Sequence, residues 1–318
     1  ARCEAECGVV VGRWSGAGAW GGGCGGTRAA GGRLGVVGAG LCALLGVKTA
    51  AGRGLKPEML LTDGHTGADA AAIEARLRED AAHEIKAVCV VHNETSTGTR
   101  SWIREVRAAL DAAGHPALLM VDAVSSIGAM DFRHDEWRVD VAVCGSQKGL
   151  MLPPGLSLTA VSDKAIEASK TASLPRSYWS WKEMIEMNKD GAFPYTPPTG
   201  LLFGLAESID MLTEEGLANV FARHERLAEA IRRAIRGCDL ELWCRDPKYY
   251  SPAGTTFALP EGHNVAVFRA VALPPVLSSL LHGPSLPACQ RYCFSTPCPR
   301  PTLPSVFHRT AAASAMHS

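Results

Sequence analysis

The sequence has few aromatic residues and no long hydrophobic run. Phe, Trp and Tyr together make up 6% of its 318 residues, and the longest apolar run, Leu34–Val47, has 14 residues and is rich in glycine. A helix that spans a bilayer needs about 20 apolar residues, so this run is too short. It also begins too far into the chain, behind Glu4 and Glu6, for an ordinary secretory signal. We therefore expect a soluble, cytoplasmic protein.

The central part of the sequence also lacks an excess of basic residues. Lys plus Arg and Asp plus Glu are equal at 32 each, but they are unevenly distributed. Residues 56–264 carry 30 acidic and 22 basic residues, a net charge of −8, whereas residues 265–318 carry four Arg and neither acidic residues nor Lys. Proteins that bind nucleic acid usually concentrate positive charge on one face. We therefore expect no nucleic-acid partner.

Motifs for metal binding and for nucleophilic catalysis are missing as well. The closely spaced cysteines Cys3 with Cys7 and Cys289 with Cys293 have no cluster of His or acidic residues to complete a zinc site, so we predict no metal. Neither a Ser-His-Asp order nor a phosphate-binding P-loop occurs. Two further cysteines fall inside predicted buried strands, where thiols behave as small hydrophobic groups, and this usage is typical of a reducing compartment.

The middle of the sequence holds three short apolar runs that each end in polar residues. Lys86–Val91, Ala117–Val121 and Val139–Cys144 are rich in Val and Leu and too short for core helices, which indicates buried strands of a parallel sheet. Between the first two runs, Ser101 opens an amphipathic helical pattern that Gly114 closes, with a cap predicted at each end. This order predicts a βαβ unit, whose ligands bind beyond the carboxyl ends of the strands.

Two of these strand ends carry a carboxylate and a lysine. Asp122 follows the second run and Lys148 follows the third, 26 residues later. On neighbouring strand ends such a pair can face one flat cofactor. Pyridoxal phosphate needs both groups, because a lysine forms the Schiff base and an acid keeps the pyridine nitrogen protonated. We therefore predict pyridoxal phosphate as the cofactor, with Lys148 and Asp122 as catalytic residues.

Four segments carry a resemblance to a known family. They read HNETSTG, VDAVSSIGAMDFRHDEW, GSQKGLMLPPG and YTPPTGLLFGL, and in this order the chain resembles the class V aminotransferases of fold type I, especially the serine–glyoxylate and alanine–glyoxylate aminotransferases, from about Ala70 to Asn264. The resemblance implies an α/β fold in which a mostly parallel sheet flanked by helices forms a large domain and a small α+β domain follows. It also implies a homodimer and a ping-pong transamination of serine or alanine with glyoxylate or a similar 2-oxoacid.

The resemblance assigns further residues to the cofactor site. It implies that Val124 lies against one face of the ring, that Thr95 contacts the cofactor, and that Gln147 and Thr196 lie on the phosphate side, with Thr196 reaching across the dimer interface. Gly18 belongs to a glycine-rich turn whose backbone N–H groups would hold the phosphate dianion. The alternatives are that Val124 only fills the core and that Thr95 belongs to a solvated turn.

We divide the chain into a glycine-rich segment at the edge of the large domain (1–60), the cofactor-binding large domain (61–237), the start of the small domain (238–264) and a proline-rich tail, disordered or non-native (265–318). Residues 1–55 contain 17 of the 33 glycines and no helical or strand period. We therefore expect no packed structure there, and we hypothesise that much of 1–60 is translated from a displaced reading frame or a mis-joined exon. No residue of 265–318 matches the arginine that binds the substrate carboxylate in the family.

Two alternative functions stay open. Another fold type I enzyme that uses pyridoxal phosphate, a lyase or a desulfurase, would use the same lysine and aspartate. It would usually also need a mobile cysteine loop, which Cys89, Cys144, Cys238 and Cys244 do not form. The second alternative is a catalytically impaired remnant of an aminotransferase, because the unmatched parts are those that bind phosphate and substrate carboxylate. On this reading we expect the chain to be a poor enzyme.

Overall fold

The computed structural model describes residues 8–13, 33–38, 40–174, 178, 180–262 and 291–295. The strands are β1 (Gly8–Arg13), β2 (Arg33–Val37), β3 (Lys56–Leu60), β4 (Ile85–Val91), β5 (Asn93–Glu94), β6 (Thr99–Arg100), β7 (Leu118–Asp122), β8 (Val141–Gly145), β9 (Leu156–Val161), β10 (Gly254–Ala258) and β11 (Arg291–Ser295). The helices are α1 (Leu41–Gly52), α2 (Ala70–Glu79), α3 (Ile103–Ala112), α4 (Asp163–Lys170), α5 (Trp181–Asn188), α6 (Thr199–Glu215) and α7 (Leu217–Gly237), with a 3₁₀ turn at Pro247–Tyr249. Within these ranges no helix has the length and apolar character needed to cross a membrane.

Seven strands form one central sheet in the order β1-β9-β8-β7-β4-β2-β3. The five strands from β8 to β3 run parallel, whereas β9 is antiparallel to both β8 and β1. The three strands predicted from the apolar runs are therefore confirmed as β4, β7 and β8, with bounds shifted by one or two residues. Their neighbours in the order, β4 next to β7 and β7 next to β8, place the predicted polar strand ends at one edge.

Helices cover both faces of the sheet. In β4, Ala87, Cys89 and Val91 pack toward the cluster that contains residues of α1, α4 and α5, and the alternate residues Val88 and Val90 pack toward α2 and α3. This alternation explains why the strand is a continuous apolar run: both of its faces are buried. The predicted sheet flanked by helices is confirmed, and its carboxyl edge is left for the loops that build the site.

The prediction that residues 1–55 lack regular structure is wrong for Gly8–Arg13, which pairs with β9 as strand β1, and for the part from Arg33 onward. Strand β2 pairs with β4 and β3, and helix α1 follows it. The buried residues of α1 are small, namely Ala43, Gly46 and Ala50, whereas Leu44 and Leu45 are about half exposed. A helix whose small residues face the core and whose leucines face outward has no apolar stripe of the usual kind.

Helix α3 was predicted correctly, but its predicted N-terminal cap was not. The helix begins after Trp102, and no side chain caps its first turn. The hydroxyl of Ser101 instead accepts a hydrogen bond from the backbone N–H of Ala68 at 3.1 Å, which ties the start of α2 to the start of α3. At the other end Gly114 has a φ of 60°, in the left-handed region that a glycine after a helix favours.

The chain after α7 packs back against loops of the central sheet, since Trp243 donates to the carbonyl of Gly64 and the N–H of Ser251 to the carbonyl of Gly98. Strand β10 pairs antiparallel with β11, so the expectation of a wholly unstructured tail is wrong for Arg291–Ser295. The rest of the predicted tail lies outside the described residues. Phe257 of β10 is completely buried in a small cluster with Ile235 of α7 and Leu242.

Candidate active site

The carboxyl ends of β4, β7 and β8 meet at one edge of the sheet, and Asp122 lies in the middle of them. It stands opposite Val91 of β4 and Val143 of β8 in the ladder. Its carboxylate accepts a hydrogen bond from the backbone N–H of Val124 at 2.9 Å, which turns the chain immediately after the strand. Val124 is half-buried against the core. Asp122 is thus held at the strand end, as predicted.

Lys148 lies in a loop that is closed by one serine. The N–H of Ser146 donates to the carbonyl of Leu156 at 3.1 Å, and the N–H of Leu156 donates back to the hydroxyl of Ser146 at 3.1 Å. That hydroxyl also donates to the carbonyl of Pro153 at 2.8 Å, and the carbonyl of Ser146 accepts from the N–H of Leu152 at 3.1 Å. Lys148 itself is exposed. Its backbone is therefore fixed while its amine is accessible.

Two glycines press the Lys148 loop against the loop that follows Asp122. A Cβ atom on Gly149 would lie 2.2 Å from the carbonyl oxygen of Ile127, and one on Gly128 would lie 2.7 Å from the carbonyl oxygen of Gly149. Gly128 also has a φ of 77°, which disfavours other residues. The backbones are in contact here without intervening side chains, so the two loops that carry Lys148 and Asp122 form one wall.

The loop after β4 adds a third side to the site. The hydroxyl of Thr95 donates to the hydroxyl of Ser125 at 3.1 Å, and the side-chain amide of Asn93 donates to the same oxygen at 2.9 Å. Thr95 is only partly buried. The structure therefore brings Thr95 together with the loop of Asp122 and Val124 and joins them through Ser125. The contact of Thr95 with the cofactor stays a prediction.

Glu94 and Ser96, on either side of Thr95, hold the N-terminus of α1. The Glu94 carboxylate accepts from the N–H of Cys42 at 3.1 Å, and the Ser96 hydroxyl accepts from the N–H of Leu41 at 2.9 Å. Ser96 also donates its hydroxyl proton to Glu94 at 2.6 Å. A Cβ atom on Gly40 would fall 2.0 Å from the Glu94 side chain, so a larger residue at this position would displace that carboxylate. Glu94 and Ser96 thus each accept a hydrogen bond from one of the N–H groups that the first turn of the helix leaves without a partner.

The pKa of the Cys42 thiol depends on the charged groups around this site. Burial raises its pKa well above 9.0, and the charges of Glu94 and then Asp122 raise it further, while the charge of Lys148 lowers it. The charges of both predicted catalytic residues, Asp122 and Lys148, therefore act on this thiol. Because it stays protonated near neutral pH, Cys42 is unsuited to act as a nucleophile.

The remaining predicted residues have different outcomes. Gln147 is next to Lys148, and its Oε1 atom is buried without a hydrogen-bond partner in the described part of the chain. Thr196 is exposed and lines a shallow surface pocket together with Tyr178, Tyr195 and Leu202. Its assignment to a partner's site stays a prediction. Gly18 lies outside the described residues.

With this geometry in view, the comparisons with known proteins decide the family. The model of the family described as aminotransferase class-V matches residues 50–272, which is more than half of the chain. The chain belongs to the class V aminotransferases. The match also begins earlier than the expected limit near Ala70 and includes part of α1 and all of β3, in agreement with the regular structure of that segment.

Characterised relatives of this class V aminotransferase include two glyoxylate enzymes. It is 48% identical to a serine–glyoxylate aminotransferase from Hyphomicrobium methylovorum over 250 residues, 78% of this chain and 62% of the relative. It is 48% identical to an L-aspartate–glyoxylate aminotransferase from Paracoccus denitrificans over 220 residues, 69% of this chain and 56% of the relative. The chain therefore spans less than two thirds of the length of these relatives.

Solved structures agree with the family. A pyridoxamine–pyruvate aminotransferase from Mesorhizobium loti has a TM-score of 0.75 and 28% identity, with 83% of this chain and 67% of that chain covered. The fold is that of the fold type I transferases. Membership of the family implies pyridoxal phosphate, and the residues of this class V aminotransferase fit that group: an accessible lysine amine, a carboxylate on the adjacent strand end and a buried amide oxygen without a described protein partner.

Sequence reasoning missed Asn93, Ser125, Cys42 and Glu94. All four are polar or small side chains with a partner that is distant in sequence, 52 residues away for Glu94 with Cys42 and 158 residues away for Asn93 with Ser251. Asn93 and Glu94 lie within the HNETSTG segment, which the sequence analysis assigned to the site as a whole. The sequence did not indicate which residues these two side chains contact.

Proposed function

We propose that this chain binds pyridoxal phosphate through Lys148 and Asp122 and uses it to transfer the amino group of serine, or of another small amino acid, to glyoxylate. The observation that carries the proposal is the placement of Lys148 and Asp122 on adjacent strand ends, in loops whose backbones touch at Gly128 and Gly149. The glyoxylate enzymes among the relatives, at 48% identity, support the choice of acceptor.

The roles of the residues follow from their chemistry. Pyridoxal phosphate supplies an electron sink for the carbanion formed when an amino acid loses its α-proton. The Nζ atom of Lys148 would bind the cofactor covalently and would act as the base that moves the α-proton of the amino acid. The carboxylate of Asp122 would keep the pyridine nitrogen protonated. Val124 would lie against the ring, Thr95 would contact the cofactor, and Gln147 would contribute on the phosphate side.

The amino donor is serine or alanine in this proposal. Since one of the relatives is named for L-aspartate, aspartate is the third donor to compare with serine and alanine. A sulfur-transferring enzyme of the same fold is less compatible with the site, because burial and the nearby carboxylates keep the thiol of Cys42 protonated.

We also propose a homodimer and a domain boundary near Gly237. Phe203 is 79% exposed and Tyr195 is 41% exposed, next to the segment that carries Thr196, and a partner subunit would cover these apolar side chains. The boundary is supported by the end of α7 at Gly237.

A trapping experiment tests the cofactor assignment. The chain is incubated with pyridoxal phosphate and reduced with borohydride, and its peptides are analysed by mass spectrometry. We expect the phosphopyridoxyl group on Lys148 and none in Lys148→Ala. As a matched control, Lys170→Ala removes an exposed lysine on α4 and should leave the label on Lys148. A label retained in Lys148→Ala would overturn the assignment.

Turnover tests the transamination itself. Formation of glycine from glyoxylate is measured with serine, alanine or aspartate as the donor. Asp122→Asn should still take up cofactor but lose roughly 10²–10⁴-fold in turnover, because a neutral amide cannot keep the ring nitrogen protonated. A chain that is labelled at Lys148 yet transaminates none of the three donors would refute the reaction and leave the cofactor site standing.

A further inference from the structure

Two buried polar side chains that are 158 residues apart meet beside the site. The hydroxyl of Ser251 donates a hydrogen bond to Oδ1 of Asn93 at 2.5 Å. Asn93 is 3% exposed and Ser251 is 1% exposed. Buried polar atoms are costly unless paired, so this contact fixes the segment after α7 against the loop after β4.

The other end of the Asn93 amide points to the site. Its Nδ2 atom donates to the hydroxyl of Ser125 at 2.9 Å, and that hydroxyl donates in turn to the backbone carbonyl of Asn93 at 2.9 Å. Thr95 donates to the same hydroxyl oxygen at 3.1 Å. Ser125 is three residues after Asp122 and directly after Val124. Asn93 therefore uses its acceptor toward Ser251 and its donor toward the wall of the site.

Ser251 is itself held on every side. Its hydroxyl oxygen accepts from the N–H groups of Ala253 at 2.9 Å and Gly254 at 3.0 Å, so its one proton is left for Asn93. Its backbone N–H donates to the carbonyl of Gly98 at 3.1 Å, and its carbonyl accepts from the buried guanidinium of Arg232 at 3.1 Å. The position of Ser251 is thus set by α7, by the start of β10 and by the backbone of Gly98 in the loop after β4.

We propose that Asn93 is a positioning residue that transmits the docking of residues 240–258 to Ser125 and Thr95. The carboxamide suits this role because it combines an acceptor and a donor in one rigid plane. An aspartate lacks the donor and would bury a charge, and an alanine lacks both. The proposal rests on the proposed function only where it says that Ser125 and Thr95 face the cofactor. The coupling itself belongs to the chain alone.

The decisive variant is Ser251→Ala, since Ser251 contacts Asn93 but none of the residues assigned to the cofactor. Amide hydrogen exchange is followed in the full chain without cofactor, and the dissociation constant for pyridoxal phosphate is measured by absorbance. We expect faster exchange in residues 93–99 and 122–127 and a dissociation constant about three- to tenfold higher, the loss typical of one hydrogen bond. Ser125→Ala should give a similar loss, and the double variant should lose less than the product of the two.

The matched control is Ser162→Ala. Ser162 also donates to a buried side chain, Asp140, from a partly buried position, but it lies after β9 at the opposite edge of the sheet. It should leave exchange in residues 93–99 and cofactor affinity unchanged. The variant Asn93→Ala removes both hydrogen bonds of the amide at once. If it does not fold, Ser251→Ala and Ser125→Ala decide whether Asn93 couples the two segments.

Two results would overturn the coupling. One is faster exchange in Ser251→Ala that is confined to residues 247–258, and the other is a set of purely multiplicative losses in the double variant. If the parent chain takes up no pyridoxal phosphate, the proposed function fails, and the exchange measurements still decide whether Asn93 couples the two segments.

Discussion

Acidification should destabilise this chain through one buried histidine, His92. Its ring centroid lies 5.5 Å from that of Phe132 and 6.2 Å from that of Trp137. Its Nδ1 atom has no hydrogen-bond partner within the described ranges. Burial lowers the pKa of His92 from 6.5 to about 3, with a further contribution from the charge of Arg100. The folded chain therefore keeps this ring neutral under mildly acidic conditions.

The size of the effect follows from the two pKa values. Between pH 6.5 and about 3 the unfolded chain binds a proton on His92 and the folded chain does not, so the free energy of unfolding decreases as the pH falls. Each pH unit in this window costs about 1.4 kcal/mol. At pH 4.5, about 2 units below the unfolded pKa, the loss through His92 is ~2.7 kcal/mol. Above pH 6.5 this residue adds no pH dependence.

Denaturant unfolding at pH 7.5 and pH 4.5 measures this loss in the parent and in His92→Phe, which keeps an aromatic ring and does not titrate. We expect the variant to lose ~2–3 kcal/mol less between the two pH values than the parent. His115 and His224, whose pKa values burial also lowers, contribute equally to both chains. As a control, Ile73→Val should lower the free energy of unfolding by ~0.5–1.5 kcal/mol at both pH values and leave its dependence on pH unchanged. An acid loss as large in His92→Phe as in the parent would refute the reasoning.

Two further predictions concern the site wall and the assembly. Gly149→Ala should lower the free energy of unfolding by ~1–3 kcal/mol and weaken binding of pyridoxal phosphate, because its Cβ would lie 2.2 Å from the Ile127 carbonyl oxygen. The control Gly52→Ala places its Cβ in open space and should change neither quantity. Equal melting temperatures and affinities in the two variants would contradict this prediction. Sedimentation of the cofactor-loaded chain should show a dimer, and a clean monomer would remove the basis for placing Thr196 in a partner's site.

The sequence was informative where short-range patterns coincide with the fold. Apolar runs of five to seven residues, buried on both faces, gave β4, β7 and β8, and the polar residues after them gave the edge at which Asp122 and Lys148 lie. These strands could be predicted because burial on both faces removes polar residues from the run itself.

Helix α1 could not be predicted in the same way. Its core-facing residues are Ala43, Gly46 and Ala50, because the helix lies close to the sheet, while Leu44 and Leu45 point outward. A period search weights large apolar residues and therefore finds no buried stripe. The length of the apolar run from Leu41 onward was the available signal.

The contacts that shape the site depend on tertiary structure. Ser101 was predicted to cap its own helix but bonds to Ala68, 33 residues earlier. Asn93 finds Ser251 at a separation of 158 residues, and no local rule links them. Hydroxyl and amide side chains have many possible partners, so their sequence positions constrain their contacts weakly.

The serine-closed loop around Lys148 has a consequence for how this lysine can move. Since Ser146 ties the two ends of the loop together, the backbone at Lys148 has little freedom, and the four methylene groups of the side chain carry nearly all of it. The amine can then change its position by rotation of the side chain alone, without any rearrangement of the main chain. A loop lengthened or shortened by one residue between Ser146 and Leu156 would break the tie and convert a side-chain rotation into a slower loop movement.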